Sequence, residues 1–193
     1  MGNIHSVVSA LNYLGYSSFY TNDLTCIESA NRIILPGVGS FKVAMESIER
    51  LGLKELLWEY ALNKKFPILG ICLGMQLMGN YSTEGGRTKG LGLFDGNVEG
   101  FNAGLNIKVP HVGFNNIEVP TDSILYKDVQ EEPDFYFVHS YRMLTSESKR
   151  IAYCTYGERF VASYEKENIF GTQFHPEKSQ KNGLKLLDNF MKL

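Results

Sequence analysis

Two stretches of this chain hold side chains able to attack a carbonyl. Gly70-Ile71-Cys72-Leu73-Gly74 sets a cysteine between two glycines at the end of an apolar run, and Phe174-His175-Pro176-Glu177 sets an imidazole and a carboxylate two positions apart. Thiol, imidazole and carboxylate together suffice for nucleophilic attack on an amide or ester. In that chemistry Cys72 is the nucleophile. His175 moves the proton between thiol and leaving group, and Glu177 fixes the imidazole tautomer and favours its protonated form. A turn from strand to helix at Cys72 is sharp enough that neighbouring side chains would clash, which accounts for Gly70 and Gly74. A cysteine at a helix N-terminus meets free amides that favour thiolate, and the Leu73 amide would face a developing oxyanion. Each motif alone also reads as ordinary structure, a buried cysteine or a solvated loop histidine. Their joint occurrence at the ends of strands argues for an enzyme. Peptide, ester and glutamine substrates all stay open on these three residues.

Further candidates lie nearby. Pro36-Gly37-Val38-Gly39 offers free amides that could complete an oxyanion hole, although by itself it reads as a plain strand-to-helix turn. Phe135-Tyr136-Phe137-Val138-His139-Ser140-Tyr141 is an aromatic strand ending in polar groups, with Phe137 a core residue.

The elements that must position these groups follow from periodicity. Ile4, Val7, Val8, Leu11 and Leu14 make one helical face, stopped by Gly15. Residues 17–21 read as a short strand. Ile33-Ile34-Leu35 and residues 67–71 read as buried parallel strands, the second running into Cys72 and a helix over 73–78. Leu53, Leu56, Leu57, Tyr60 and Ala61 repeat the helical spacing. The first half thus alternates helix and strand, which predicts an α/β fold: an open, mostly parallel sheet flanked by helices. In the second half, strands are expected near 93–98, 107–119, 135–138, 151–156, 160–164 and 169–173. Turns at Asp95-Gly96, Tyr156-Gly157-Glu158 and Lys166-Glu167-Asn168 predict hairpins that add antiparallel strands. Leu184, Leu187 and Met191 mark a closing helix. His175 and Glu177, at period-2 spacing, would face the same side of extended chain.

The chain has 193 residues and a formal net charge of -2. One domain spanning 1–193 is expected. The charge balance argues against nucleic acid or an anionic membrane as main partner, and no apolar run is long enough for a membrane span. Cys26, Cys72 and Cys154 form no framework, which suggests a reducing, cytoplasmic setting. His5, His111, His139 and His175 are far apart in sequence, so neither a metal nor another cofactor is expected.

With these residues quoted, the chain resembles the class I glutamine amidotransferases. Within that class it is similar to glutaminase subunits of imidazole glycerol phosphate synthase. The matching segments are Leu35-Pro36-Gly37-Val38-Gly39, Gly70 to Gln76, Val109-Pro110-His111-Val112-Gly113, Tyr136 to Tyr141 and Gly171 to Ser179, in order along nearly the whole chain. The resemblance implies a flavodoxin-like sheet. It also implies attack of Cys72 on the glutamine carboxamide, and an oxyanion hole from the amides of Val38 and Leu73. Gly37, Gln76, Glu84 and the His139-Ser140-Tyr141 backbone would hold L-glutamine, with Glu84 on its α-ammonium. Asn3, Pro110, Val112, Phe114, Tyr136 and Lys178 would meet a cyclase subunit with a (β/α) barrel fold, in a heterodimer that uses the ammonia for histidine biosynthesis.

Two features depart from the pattern. The family opens with an apolar strand before a Tyr-Gly-x-Gly-Asn turn, whereas here Met1-Gly2-Asn3 falls inside that turn, so the first strand of the sheet is expected to be missing. Val112 and Phe114 replace the usual Met and Trp. That keeps open an alternative partner, an amidine-forming synthase of surface-polysaccharide biosynthesis.

Overall fold

The computed structural model describes residues 4–148 and 150–193; Asn3 lies outside the described residues. The helices are α1 (Ile4–Tyr13), α2 (Leu24–Glu28), α3 (Phe41–Arg50), α4 (Leu53–Trp58), α5 (Leu73–Leu77) and α6 (Gln180–Met191). A π-helical stretch, Glu59–Lys64, continues α4 and buries Tyr60 and Ala61, as the leucine spacing predicts. The strands are β1 (Ile33–Gly37), β2 (Ile68–Cys72), β3 (Tyr81–Ser82), β4 (Thr88–Lys89), β5 (Asn97–Gly100), β6 (His111–Asn116), β7 (Asp134–His139), β8 (Tyr141–Leu144), β9 (Ile151–Tyr156), β10 (Glu158–Lys166) and β11 (Ile169–Thr172).

The main sheet runs β1-β2-β11-β10-β9. Its first three strands are parallel, β10 runs antiparallel to β11, and β9 runs antiparallel to β10. Alternation along β2 splits the core in two. Leu69 and Ile71 join α1 and α6 on one face, and Ile68 joins α3 and the Tyr60 region on the other. This is the two-faced α/β arrangement expected from alternating helices and strands. Gly157, at φ 71°, closes the β9–β10 hairpin, and Glu167, at φ 54°, closes β10–β11, as read from the sequence.

Several expectations need correction. Residues 17–21 form no strand, because a strand needs a ladder partner and, among the described residues, β1 pairs on one edge only, with β2. As an edge strand, β1 is half-buried along its length rather than buried. Asp95-Gly96 does not turn a hairpin. The following strand β5 pairs with β3 in parallel and with β8 in antiparallel fashion, inside a separate sheet ordered β4-β3-β5-β8. Residues 93 and 94 precede that strand and pack into the core instead. The span 107–119 yields the strand β6, which pairs with β7 as a two-stranded ribbon, and a single bridge from Glu118 to Tyr153. On α6 the buried face is Leu186, Leu187 and Phe190; of the expected Leu184, Leu187 and Met191, Leu187 is buried and the other two are half-buried. Among the described residues, no helix is long and apolar enough to cross a membrane, and no group of acidic, His or Cys side chains is arranged to hold a metal.

Candidate active site

The parallel strands bring the motifs together at their carboxyl ends, where open α/β sheets gather functional groups. Gly37 on β1 is directly paired with Cys72 on β2, and Thr172 on β11 lies beside Ile71. Cys72 therefore has the Pro36–Gly39 loop on one side and the chain leading to His175 on the other.

Cys72 sits at φ 54°, ψ −110°, outside the usual regions for a side-chain-bearing residue, and caps α5. Such strain is typical of a nucleophile raised on a tight turn. The flanking glycines are needed for close approach. A Cβ on Gly70 would stand 2.6 Å from the Met75 nitrogen, and one on Gly74 would stand 1.7 Å from the Leu35 carbonyl oxygen. The Cys72 Sγ lies 3.8 Å from the Val138 carbonyl, to which the thiol donates, and 3.8 Å from the Gln173 amide nitrogen, from which it accepts.

His175 and Glu177 meet by a different route from the expected extended chain. Pro176–Lys178 is a 3₁₀ turn, and it folds Glu177 back so that its Oε1 lies 2.9 Å from His175 Nδ1. A carboxylate only accepts, so Nδ1 carries the proton and Nε2 is left for the thiol. Both side chains are buried. Burial works against the imidazolium. Hydrogen bonds and charge from Cys72 and Glu177 outweigh it and raise the His175 pKa to about 9. The ring is held from behind as well. The His175 backbone N–H donates to the Tyr136 carbonyl at 2.9 Å, and Ser179 Oγ donates to the His175 carbonyl at 2.7 Å.

The remaining candidates fall around this centre. Leu73 opens α5, next to Cys72. Gly37 packs against the Leu73 side chain, and Gly39, at φ 102°, turns the loop so that the Val38 side chain is exposed. Gln76 is buried and donates from Nε2 to both the Tyr141 carbonyl and Gln173 Oε1. His139 is buried on β7, while Ser140 and Tyr141 are half-buried. Glu84 accepts from the Phe41 backbone N–H at 2.8 Å, so it caps α3 and ties down the loop that carries Val38.

The ribbon β6–β7 forms the outer wall. On its exposed side Val112 and Phe114 stand opposite Val138 and Tyr136, and the Lys178 ammonium lies 5.8 Å over the Tyr136 ring. Pro110, in a cis peptide, precedes this ribbon. Two residues at the centre escaped the sequence reading as site groups: Gln173, on Cys72, and Ser179, on His175. Gln173 carried a signal, a polar residue at the end of a run read as strand.

A family model for glutamine amidotransferase class-I matches residues 1–193. The chain belongs to the class I glutamine amidotransferases. It is 46% identical over 192 residues to imidazole glycerol phosphate synthase subunit HisH 1 of Campylobacter jejuni strain RM1221, covering 100% of this chain and 96% of that protein. It is 44% identical to subunit HisH of Moorella thermoacetica, covering 100% and 91%. It is 42% identical to imidazole glycerol phosphate synthase hisHF of Arabidopsis thaliana, covering 98% of this chain and 32% of that longer protein. The fold is shared with solved structures at low identity. A crystal structure of a glutamine amidotransferase superposes with a TM-score of 0.73 at 15% identity, covering 99% of this chain and 93% of that one. The structure of PurLQS from Thermotoga maritima matches with a TM-score of 0.73 at 18% identity, covering 97% and 91%.

Proposed function

We propose that the chain is the glutaminase subunit of an imidazole glycerol phosphate synthase. It hydrolyses L-glutamine and passes the ammonia to a cyclase subunit with a (β/α) barrel fold, as a heterodimer in the cytoplasm. The observation that carries this reading is the Cys72, His175 and Glu177 set, assembled at adjoining strand ends in a chain 46% identical along its length to a HisH subunit.

The steps use these side chains, two backbone amides and one water. Cys72 passes its thiol proton to His175 Nε2 as its Sγ attacks the side-chain carbonyl carbon of glutamine, and the amides of Leu73 and Val38 receive the oxyanion. As the C–N bond breaks, His175 gives its proton to the departing nitrogen, and ammonia leaves a thioester on Cys72. His175 then takes a proton from water, the hydroxide attacks the thioester, and glutamate departs as the thiol is restored. Glu177 keeps Nδ1 protonated throughout. Gln76, Gly37, Glu84 and the His139-Ser140-Tyr141 backbone hold glutamine. The outer ribbon face, with Pro110, Val112, Phe114, Tyr136 and Lys178, meets the cyclase.

This face and the catalytic groups share one strand. Tyr136 and Val138 of β7 contribute to the outer side, while their carbonyls receive hydrogen bonds from His175 and Cys72. A partner pressing on β7 therefore bears directly on both reacting residues.

The test is Cys72→Ala in complex with the cyclase. Glutamine-dependent synthesis should be abolished, and synthesis from added ammonium should be retained. Glutamine hydrolysis by the variant would overturn the assignment of Cys72. Stimulation of the parent by an amidine-forming synthase and not by the cyclase would replace the histidine-pathway partner.

A further inference from the structure

Two buried histidines, His111 and His139, stand in a row that none of the bond-making steps uses. His139 Nδ1 lies 2.8 Å from the Tyr141 carbonyl oxygen, and His139 Nε2 lies 3.0 Å from His111 Nδ1. His111 Nε2 in turn lies 2.9 Å from the Asn115 side-chain nitrogen. The protons in this row are determined by its two ends. A carbonyl only accepts, so His139 carries its proton on Nδ1. Burial holds His139 neutral, with its pKa pushed down to about 3, so its Nε2 has a lone pair and must accept from His111 Nδ1–H. His111, pushed down by burial to about 4, then accepts on Nε2 from Asn115. Both rings are locked as Nδ1–H tautomers, and every ring nitrogen in the row is paired.

The same logic continues on the other side of the Tyr141 carbonyl. That oxygen also accepts from Gln76 at 2.9 Å, so the Gln76 atom facing it must be the amide nitrogen. The second N–H of Gln76 goes to Gln173 Oε1 at 2.8 Å, and Gln173 reaches Cys72 Sγ. With both N–H groups engaged, Gln76 can offer only its carbonyl oxygen to a bound molecule. If Tyr141 O moved away, the amide could rotate and present the wrong group.

We propose that His111 and His139 are positioning residues for glutamine: through the Tyr141 carbonyl they hold Gln76 with its side-chain oxygen turned toward the substrate. The proposal rests on the reading that Gln76 holds glutamine. The row begins on β6, whose opposite face carries Val112 and Phe114, so this device is mounted on the ribbon assigned to the partner.

The experiment has two parts. Imidazole nitrogen NMR on the unaltered chain at neutral pH should show two histidines as Nδ1–H tautomers. Nε2–H resonances for His111 and His139 would overturn the proposal whatever the variants do. The second part compares His111→Asn with His111→Phe in glutamine hydrolysis by the synthase complex. The Asn amide nitrogen sits near the position of Nδ1 and keeps a donor to His139, but it loses the ring stacks on Phe137 and Tyr156, at 4.9 and 4.0 Å. Phe keeps the stacks and loses the donor. The expected result is a KM for glutamine raised about tenfold in His111→Phe and raised less in His111→Asn, with kcat changed little in either, as for loss of one buried hydrogen bond. The reverse ranking, with Phe milder than Asn, would make His111 a packing residue and overturn the proposal. A parent complex that hydrolyses no glutamine would instead overturn the reading of the function itself.

Discussion

Gly74→Ala tests the junction that raises the nucleophile. A Cβ at this position would lie 1.7 Å from the Leu35 carbonyl oxygen and 2.8 Å from its carbonyl carbon. A carbon–oxygen contact settles at about 3.3 Å, so α5 and β1 would have to separate by about 1.6 Å. Neither can give way cheaply. The contact is with backbone, and β1 is in register with β2 from Ile33↔Ile68 to Gly37↔Cys72. Overpacking of this kind costs about 1–3 kcal/mol, and the upper end applies where main chain must move. Taking about 3 kcal/mol with a urea dependence of about 2 kcal/mol per molar, the unfolding midpoint should fall by about 1.5 M. Urea titration followed by the fluorescence of Trp58, the single tryptophan, measures it. Glutamate release in the synthase complex should fall about 100-fold in the fraction that remains folded, because Cys72 and the Leu73 amide move with α5. Gly104→Ala is the control, since its Cβ would meet only the Asn102 side chain at 3.4 Å. A Gly74→Ala midpoint within about 0.3 M of the parent would refute the close approach and the account of the elbow built on it.

Three further outcomes are expected. In Glu177→Gln, His175 loses a charge and the strength of the hydrogen bond that, against burial, help raise it to about 9. The imidazolium exists below that value and is lost above it, so the alkaline limb of kcat/KM should move to lower pH; an unmoved limb would remove Glu177 from that role. Phe114→Glu puts a charge on the exposed apolar face, where Phe114 packs 5.5 Å from Tyr136. Calorimetry should show binding to the cyclase weakened about 30-fold with unfolding unchanged, the size of an interface anchor, and equal affinity would move the interface elsewhere. Gly183→Ala would set a Cβ 1.8 Å from the Pro176 carbonyl oxygen, pushing the turn that carries Glu177. Single-turnover thioester formation should slow about 100-fold with circular dichroism retained, and a parent-like rate would show that the turn tolerates the shift.

Periodicity was legible where a segment depends on its own residues and on one buried face. α1, the leucine-bearing α4, β2, and the hairpins at Gly157 and Glu167 appear where the sequence places them. It failed where pairing between distant segments decides. Residues 17–21 have strand-like composition but no ladder partner, and residues 93 and 94 are apolar because they pack in the core. The short strands β3, β4 and β5 owe their existence to one another and to β8. The site shows the same division. Cys72, His175 and Glu177 could be named from residue type and spacing, whereas Gln173 and Ser179 matter only because folding places them on Cys72 and His175.

The sequence by itself determined which side chains of this protein are suited to carbonyl chemistry: a thiol able to attack, an imidazole able to move protons, and glycines on either side of the thiol. These follow from side-chain type and from local sterics, which travel with the chain. Only the tertiary structure decided how the parts act on one another. Glu177 reaches His175 through a 3₁₀ turn rather than an extended strand. Glu84 is drawn to the start of α3, and a row of hydrogen bonds ties the outer ribbon to Gln76. Such directional contacts join residues distant in sequence, so their geometry is settled when the sheet brings its strands into register.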